Sequence, residues 1–276
     1  MNTSLNKIAI LGAGWLGWPL AKKLVEAGFI INASTTSSNK LDALTADGIN
    51  PFLINLLSTG PEGKNLESFL KTDLIIINIP PGRRDPAVET NFPKKIKTLI
   101  SLALKAGVTR CVFVSSTSVY SDPQGGVSEE TIPMPTTNSG KALWSVEKYL
   151  QSLSPLKTTI IRPGGLVGGD RLAGRFLAGK KDIPNGNAPV NMIHRTDLVN
   201  IILKLIDQKR FNETFHCVAN QSPTRRDFYT HQAKKYGFKK PEFLADEGVG
   251  PFKIISNEYV KKTLNYQFIF GDPMEF

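Results

Sequence analysis

Residues 8–17, I-A-I-L-G-A-G-W-L-G, leave this chain few folds to choose from. Ile8, Ala9, Ile10 and Leu11 read as a buried parallel strand, and they run directly into Gly12, Gly14 and Gly17 at dinucleotide-fingerprint spacing. The pattern predicts a strand, a tight turn and a helix whose N-terminus faces an anion. The first glycine permits the turn, the second lets a pyrophosphate reach bare backbone, and the third lets the helix lie close on the strand. Glycines at such spacing are common, so the surroundings have to carry the reading. Leu16, Leu20 and Leu24 share one helical stripe, Gly28 closes the helix, and Pro19 is tolerable only near a helix start. Gly12, Gly14, Trp15, Leu16 and Gly17 are therefore the first candidate cofactor contacts.

An NAD site places Asp or Glu about 20 residues further on, where it holds the ribose 2′-hydroxyl. After the second strand, Phe29 to Ala33, this chain has Ser34, Thr35, Thr36, Ser37, Ser38, Asn39 and Lys40 instead. No carboxylate there repels a 2′-phosphate, and hydroxyls with a lysine suit one. The expected cofactor is NADP in preference to NAD, with Ser34, Thr35 and Thr36 contacting it. Ser and Thr also favour turns, which is the plainer reading of the same loop.

Strand and helix signatures alternate through the first 160 residues. Further strands are expected at Pro51 to Leu56, Asp73 to Ile79, Arg110 to Ser115 and Thr158 to Arg162. Helices are expected around Ile96 to Ala103, Leu143 to Leu153 and Asp197 to Gln208. The fold class is α/β, a Rossmann-type doubly wound parallel sheet with a smaller, partly discontinuous C-terminal substrate lobe. The expected dinucleotide-binding domain is 1–163 with 190–220 returning to it, and the lobe is 164–189 with 221–276, opened in part by a capping box at Thr224-x-x-Asp227. Gly164, Gly165, Gly168, Gly169, Gly174 and Gly179 read as loops running over a site. With 276 residues and 41% hydrophobic content, one substantial core and a small second lobe are affordable.

The charge of +10 comes from 34 basic and 24 acidic residues. Pairs such as Lys22-Lys23, Lys94-Lys95, Lys180-Lys181 and Lys239-Lys240 are spread along the chain, so solvated helix faces and a phosphorylated small-molecule substrate are expected, not nucleic acid. No apolar run approaches the roughly 20 residues of a membrane helix, and the start lacks the apolar stretch of a signal peptide, which points to the cytoplasm. Cys111 and Cys217 form no disulfide framework, and His194, His216 and His231 show no metal-ligand spacing. There is no G-x-S-x-G elbow of a serine hydrolase.

V-F-V-S-S-T-S-V-Y (Val112 to Tyr120) resembles the serine-bearing strand end of the extended short-chain dehydrogenase/reductases, the NAD-dependent epimerase/dehydratase family. R-P-G-G-L-V-G from Arg162 and N-M-I-H-R-T-D-L-V from Asn191 are similar to later segments of that family. Within it, the chain resembles a group of nucleoside-diphosphate-sugar-epimerase-like proteins through G-W-L-G, S-S-T-S-V-Y and T-N-S-G. The resemblance implies that Ile79, Pro80, Ser115, Pro163 and Gly164 lie along the cofactor, that Ser116 orients the reacting group, and that His194 and Asp197 are structural. It also implies a homodimer through the helices at 93–107 and 140–153.

Family enzymes carry Tyr-x-x-x-Lys after the serine strand, where tyrosine shuttles a proton and lysine lowers its pKa. Aligned on Gly140 and Glu147, this chain has Ser139 and Leu143 at those positions. Both catalytic groups are missing. Trp144-x-x-x-Lys148 keeps the spacing, but an indole only donates. Candidate substitutes are Tyr120, Ser116 and Ser139, with Lys141 near a phosphate. Arg83 and Arg84, after the fourth strand, are the expected substrate-binding pair, since guanidinium forks take phosphate or carboxylate bidentately. Two readings follow: an NAD(P)-dependent epimerase or reductase with an atypical site, or an NADP-binding redox sensor without turnover.

Overall fold

The computed structural model describes residues 5–82, 85–245 and 248–276. The chain begins β1 (Lys7–Leu11), α1 (Gly17–Glu26), β2 (Ile30–Thr35), α2 (Leu41–Ala46), β3 (Asn50–Leu57), β4 (Gly60–Gly63), α3 (Leu66–Leu70), β5 (Leu74–Ile77), α4 (Val88–Lys105) and β6 (Arg110–Val114). It continues β7 (Gly125–Val127), α5 (Asn138–Ser152), β8 (Lys157–Pro163), β9 (Gly165–Val167), β10 (Met192–His194), α6 (Arg195–Asp207), β11 (Thr214–Cys217), α7 (Arg225–Lys235), β12 (Lys253–Ile255) and α8 (Glu258–Leu264).

One eight-stranded sheet has the order β11-β8-β6-β5-β1-β2-β3-β4. Strands β8, β6, β5, β1, β2 and β3 pair in parallel, with Ala9 facing Ile75 on one side and Asn32 on the other. Ile8 to Leu11 of β1 and all of β5 are buried, as strands covered by helices on both faces must be. The order of the sheet reverses at β1, which lies between β5 and β2. In open α/β sheets that reversal opens a crevice beyond the strand ends, and ligands bind there.

The expected Rossmann-type parallel sheet is therefore present, with local differences. Strand β4 turns back antiparallel on β3, Leu57 opposite Gly60. Ser58-Thr59 between them is not an Asn-Gly or Asp-Gly hairpin signal, which hid this strand from the sequence. Strand β5 stops at Ile77, two residues short of the expected end, and Asn78 just beyond it turns its side-chain amide to the Gly12 carbonyl (3.3 Å). Helix α4 begins at Val88 and carries Pro93 inside it.

The chain forms two compact units. The first takes residues up to Ser115 with Pro135–Ile161 and Ile202–Thr214; the second takes Ser116–Met134, Arg162–Ile201 and Phe215–Phe276. Segment 116–134 thus goes with the second unit, where β7 pairs in parallel with β12. The returning piece is 202–214, shorter than the expected 190–220.

Within the second unit, Val167, Ala173, Val190, Met192, Ala219, Phe228 and Phe276 form one core. Three of the glycines after Pro163 are required by this unit's packing. A methyl group at Gly174 would lie 2.5 Å from the Gln232 carbonyl oxygen, and one at Gly168 (φ +114°) would lie 2.4 Å from His194 Nε2. At Gly164 the obstacle is the Asn191 carbonyl, 2.4 Å away.

Asp197 is buried on α6 and holds the segment 266–270. Its carboxylate accepts from the Tyr266 hydroxyl (2.7 Å), the Ile269 amide (2.8 Å) and the Phe270 amide (3.0 Å). Beside it the His194 ring stacks on Phe270 with centroids 3.9 Å apart. Burial lowers the His194 pKa. The Ile-His-x-x-Asp-Leu motif is thereby a clamp. Asp197→Ala is expected to cost at least about 2 kcal/mol by stranding three donors. Denaturant melts with faster amide exchange at Ile269 and Phe270 would register the loss.

Candidate functional site

The glycine turn is built by backbone contact. Gly12 has φ +101°, a value other residues rarely adopt, and a methyl group there would lie 2.7 Å from the Asn78 carbonyl and 2.8 Å from the Ile79 side chain. At Gly17 it would lie 2.0 Å from the Gly12 carbonyl oxygen, so the helix can leave the strand only with hydrogen at that position. Gly14 differs from both. It is exposed, and a methyl group there would meet nothing within 4 Å. The turn is thus closed at its first and third glycines and open at its second.

Ser34 completes the turn from the neighbouring strand. Its hydroxyl accepts from the Gly12 amide (3.0 Å), and its carbonyl accepts from the Ala13 amide (2.7 Å). Thr35 accepts from the Ser37 amide (3.1 Å), while Thr36 is exposed. Helix α1 carries no carboxylate in its first turn, where the Trp18 amide donates to the Gly14 carbonyl (3.0 Å) and Pro19 has no amide. Trp15 is half-buried and Leu16 is buried at the start of this helix. Ile79 abuts Gly12 and Pro80 is exposed next to it. An open second glycine, an uncompensated helix N-terminus and a position at the sheet's reversal are what a dinucleotide pyrophosphate requires.

At the end of β6, the Ser115 hydroxyl bonds to the carboxylate of Glu147, which is fully buried on α5. One turn earlier on the same helix, Leu143 is 4% exposed and no ammonium group occupies that position. Ser139 lies 3.4 Å from the Thr137 hydroxyl, which caps α5 by accepting from the Gly140 amide (3.1 Å). Lys141 is paired with Glu89 across an exposed 3.6 Å contact.

In the second unit, Ser116 caps a single helical turn, accepting from the Ser118 amide (3.1 Å). Tyr120 closes that turn and is 1% exposed. Its hydroxyl receives a hydrogen bond from Arg162 and lies 2.9 Å from His216 Nε2. A guanidinium can only donate, so Tyr120 accepts from Arg162, and its own proton has two acceptors in reach, His216 Nε2 and the Ser128 carbonyl (3.5 Å), the choice being set by the His216 tautomer. That proton is committed inside the unit, and Tyr120 holds a place in a buried polar cluster. The Glu129 carboxylate accepts from the His216 amide (2.8 Å). Burial raises the Glu129 pKa; burial, aided by the Arg162 charge, depresses His216 to about 3. Pro163 is buried at the end of β8 next to Arg162, with Gly164 following it. Arg83 and Arg84, the expected substrate-binding pair, lie outside the described residues.

Sequence reasoning missed Asn78, Glu147, Arg162 and His216 as site-building residues. A polar residue inside an otherwise apolar strand or stripe was the available signal for each. Among the described residues no group of His, Cys, Asp or Glu could hold a metal ion, and no helix is long and apolar enough to cross a membrane.

This fold and turn define a dinucleotide-binding protein of the Rossmann type. The chain belongs to the NAD(P)H-binding family, whose model matches residues 12–209. It is 33% identical over 274 residues to protein YeeZ of Escherichia coli K12, with 98% of both chains covered. It shares its fold with the UDP-Glc/GlcNAc 4-epimerase of Campylobacter jejuni at a TM-score of 0.81 and 18% identity, covering 98% of this chain and 96% of that one. A short-chain dehydrogenase/reductase superfamily protein of Agrobacterium tumefaciens with bound NAD gives a TM-score of 0.77 at 18% identity, covering 98% and 95%. The epimerase/dehydratase-type architecture expected from the sequence is thereby established.

Two outcomes test this geometry. Gly14→Ala is expected to keep the melting temperature while weakening dinucleotide binding, whereas Gly17→Ala is expected to lower both, as calorimetry with a cofactor titration would read. An unfolded imidazole titrates near ~6.5, so between that value and the folded value of about 3 the unfolded chain binds the extra proton at His216. The His216 contribution is therefore complete above the upper value and declines as pH falls through the window. Glu129, with its raised pKa, acts in the opposite sense. Stability against pH is expected to be flatter over this window in His216→Gln than in the wild type.

Proposed function

We propose that this protein is an NAD(P)-dependent epimerase or oxidoreductase that acts on a nucleotide-sugar or similar phosphorylated substrate, with NADP preferred. The observation that carries the reading is the turn that is sterically closed at Gly12 and Gly17 and open at Gly14, set where the sheet order reverses. In the proposal, Gly12, Gly14, Trp15, Leu16 and Gly17 receive the pyrophosphate, and Ile79 and Pro80 line the groove. The absence of any carboxylate from residue 34 to residue 40 supports NADP, with Thr36 and Lys40 as the groups for a 2′-phosphate. The shared fold with an enzyme named for UDP-Glc and UDP-GlcNAc supports the substrate class.

When bound, the nicotinamide supplies and takes back a hydride. This chain's own task is to orient the carbon that exchanges it and to serve the accompanying proton. With Ser139 and Leu143 where the family resemblance places tyrosine and lysine, the proposed route uses a side-chain hydroxyl to hold the reacting oxygen or a water, with Ser116 and Ser139 as the candidates. A bare hydroxyl is a poor acid or base near neutral pH, so turnover is expected to be slow. The second reading, a redox sensor that binds NADP without turnover, draws support from the buried Leu143, which leaves no cation to lower the pKa of an acid.

Titration with NADPH and NADH, followed by nicotinamide fluorescence, tests the cofactor half. Tighter NADPH binding is expected, and binding of neither would overturn the proposal. Incubation with UDP-glucose in deuterated buffer, with NMR of the recovered sugar, tests the chemistry. NADPH binding without conversion of UDP-glucose, UDP-galactose or UDP-N-acetylglucosamine would move the assignment to the sensor.

A further inference from the structure

Tyr120 is held at both ends inside the second unit. Its hydroxyl lies between Arg162, whose guanidinium carbon is 5.1 Å from the ring centroid, and His216 Nε2 at 2.9 Å. The His216 ring stands edge-on to the tyrosine, with an interplanar angle of 87°. Its carbonyl accepts from Lys253 Nζ (2.6 Å), and the same ammonium reaches Asp122 (2.9 Å). Lys253 belongs to β12, which pairs with β7 immediately downstream. Tyr120 therefore ties the end of β8, the strand β11 and the strand β12 to the turn 116–120.

That turn has little else to define it. The Ser118 amide donates to Ser116 Oγ (3.1 Å), and the Val119 and Tyr120 amides reach the Ser116 and Thr117 carbonyls (3.3 and 3.1 Å). A single turn of this length is marginal alone, because nucleation fixes several dihedrals for each hydrogen bond gained. What holds it must come from its buried side chains, Thr117, Val119 and Tyr120. Removing only the tyrosine oxygen would leave a buried guanidinium N–H and a buried imidazole nitrogen facing a hydrocarbon edge, a larger penalty than the bond itself was worth.

We propose that Tyr120 is a positioning residue, which through Arg162, His216 and Lys253 sets the 116–120 turn and so the direction of the Ser116 hydroxyl. The proposal rests on the functional reading above for what Ser116 does, and its test does not need turnover. Amide exchange at Ser118 and the nitrogen-15 shifts of the His216 ring are measured in the wild type, Tyr120→Phe and Lys253→Met. In the wild type Nε2 is expected to carry the shift of a nitrogen hydrogen-bonded to the Tyr120 hydroxyl. In Tyr120→Phe, Ser118 is expected to exchange about tenfold faster, as a locally opened turn does, with Nε2 shifting to an unbonded value. Lys253→Met is expected to accelerate Ser118 less and to leave the ring shifts unchanged. Amides of Ile8 to Leu11 and NADPH affinity should stay at their wild-type values.

Unchanged Ser118 exchange in Tyr120→Phe would overturn the proposal, and so would acceleration shared equally by the amides of Ile269 and Phe270, which would mark a general loss of the unit. If the protein turns over UDP-glucose, loss of turnover in Tyr120→Phe with Ser118 protection intact would make Tyr120 a proton donor and equally overturn it. Absence of turnover in every variant, with the exchange and ring signatures as expected, would overturn the proposed function alone and leave the positioning role standing.

Discussion

Helix α1 leaves strand β1 with its backbone so close to the turn that a single methyl group at Gly17 would sit 2.0 Å from the Gly12 carbonyl. The first crossover can follow the sheet only because of that contact. It fixes where the helix N-terminus points, and it places Asn78 and Ile79, at the end of the adjacent strand, against the same turn. Ser34 reaches across from β2 to hold the Gly12 amide. Three parallel strands thus converge on one loop, and the open Gly14 lies on its outer side. A dinucleotide site here is a by-product of packing two elements tightly and leaving one position bare.

The second unit relies on polar contacts sunk in an apolar setting. Arg162 and His216 both meet the Tyr120 hydroxyl, and Asp197 satisfies three donors from a segment some seventy residues distant, as the 69-residue separation to Tyr266 illustrates. Buried groups of this kind add less net stability than their bond strengths suggest, since desolvation offsets much of the gain. Their worth is selectivity, because an alternative arrangement of these loops would leave charged groups unpaired. Short strands such as β7, β9, β10 and β12, each of three residues, could not specify that arrangement through backbone pairing alone.

Local patterns made the parallel strands and main helices legible in the sequence, because apolar runs such as Leu74 to Ile77 and the stripe of Leu16, Leu20 and Leu24 repeat at short range. The glycine turn was legible for the same reason. Strand β4 was not, since Gly60 to Gly63 carries neither alternation nor a favoured turn pair. The glycines at 164–174 were legible as glycines but not in purpose: Gly164 and Gly174 are required by backbone far along the chain, at Asn191 and Gln232. Glu147 and Ser115 stand 32 residues apart, Arg162 and Tyr120 42, and His216 and Tyr120 96. No spacing rule reaches that far, so the sequence left Tyr120 a candidate acid with packing the plainer reading, and its partners stayed hidden.

Both units are assembled from separated stretches of chain, and the Asp197 clamp closes on residues 266–270. As the polypeptide emerges from a ribosome, the first unit lacks a part of itself until residue 214 is made, and the α6 carboxylate waits for its three donors until residues 266–270 appear. Domains that fold as units at a synthesis rate of about 5–20 residues per second would here spend seconds with apolar strands uncovered. A sheet of parallel strands, slow to pair because its contacts are distant, lengthens that exposure. This architecture therefore makes the nascent chain a natural client for chaperones, and a pause before residue 214 would act on a sheet whose edge strand β11 is still missing.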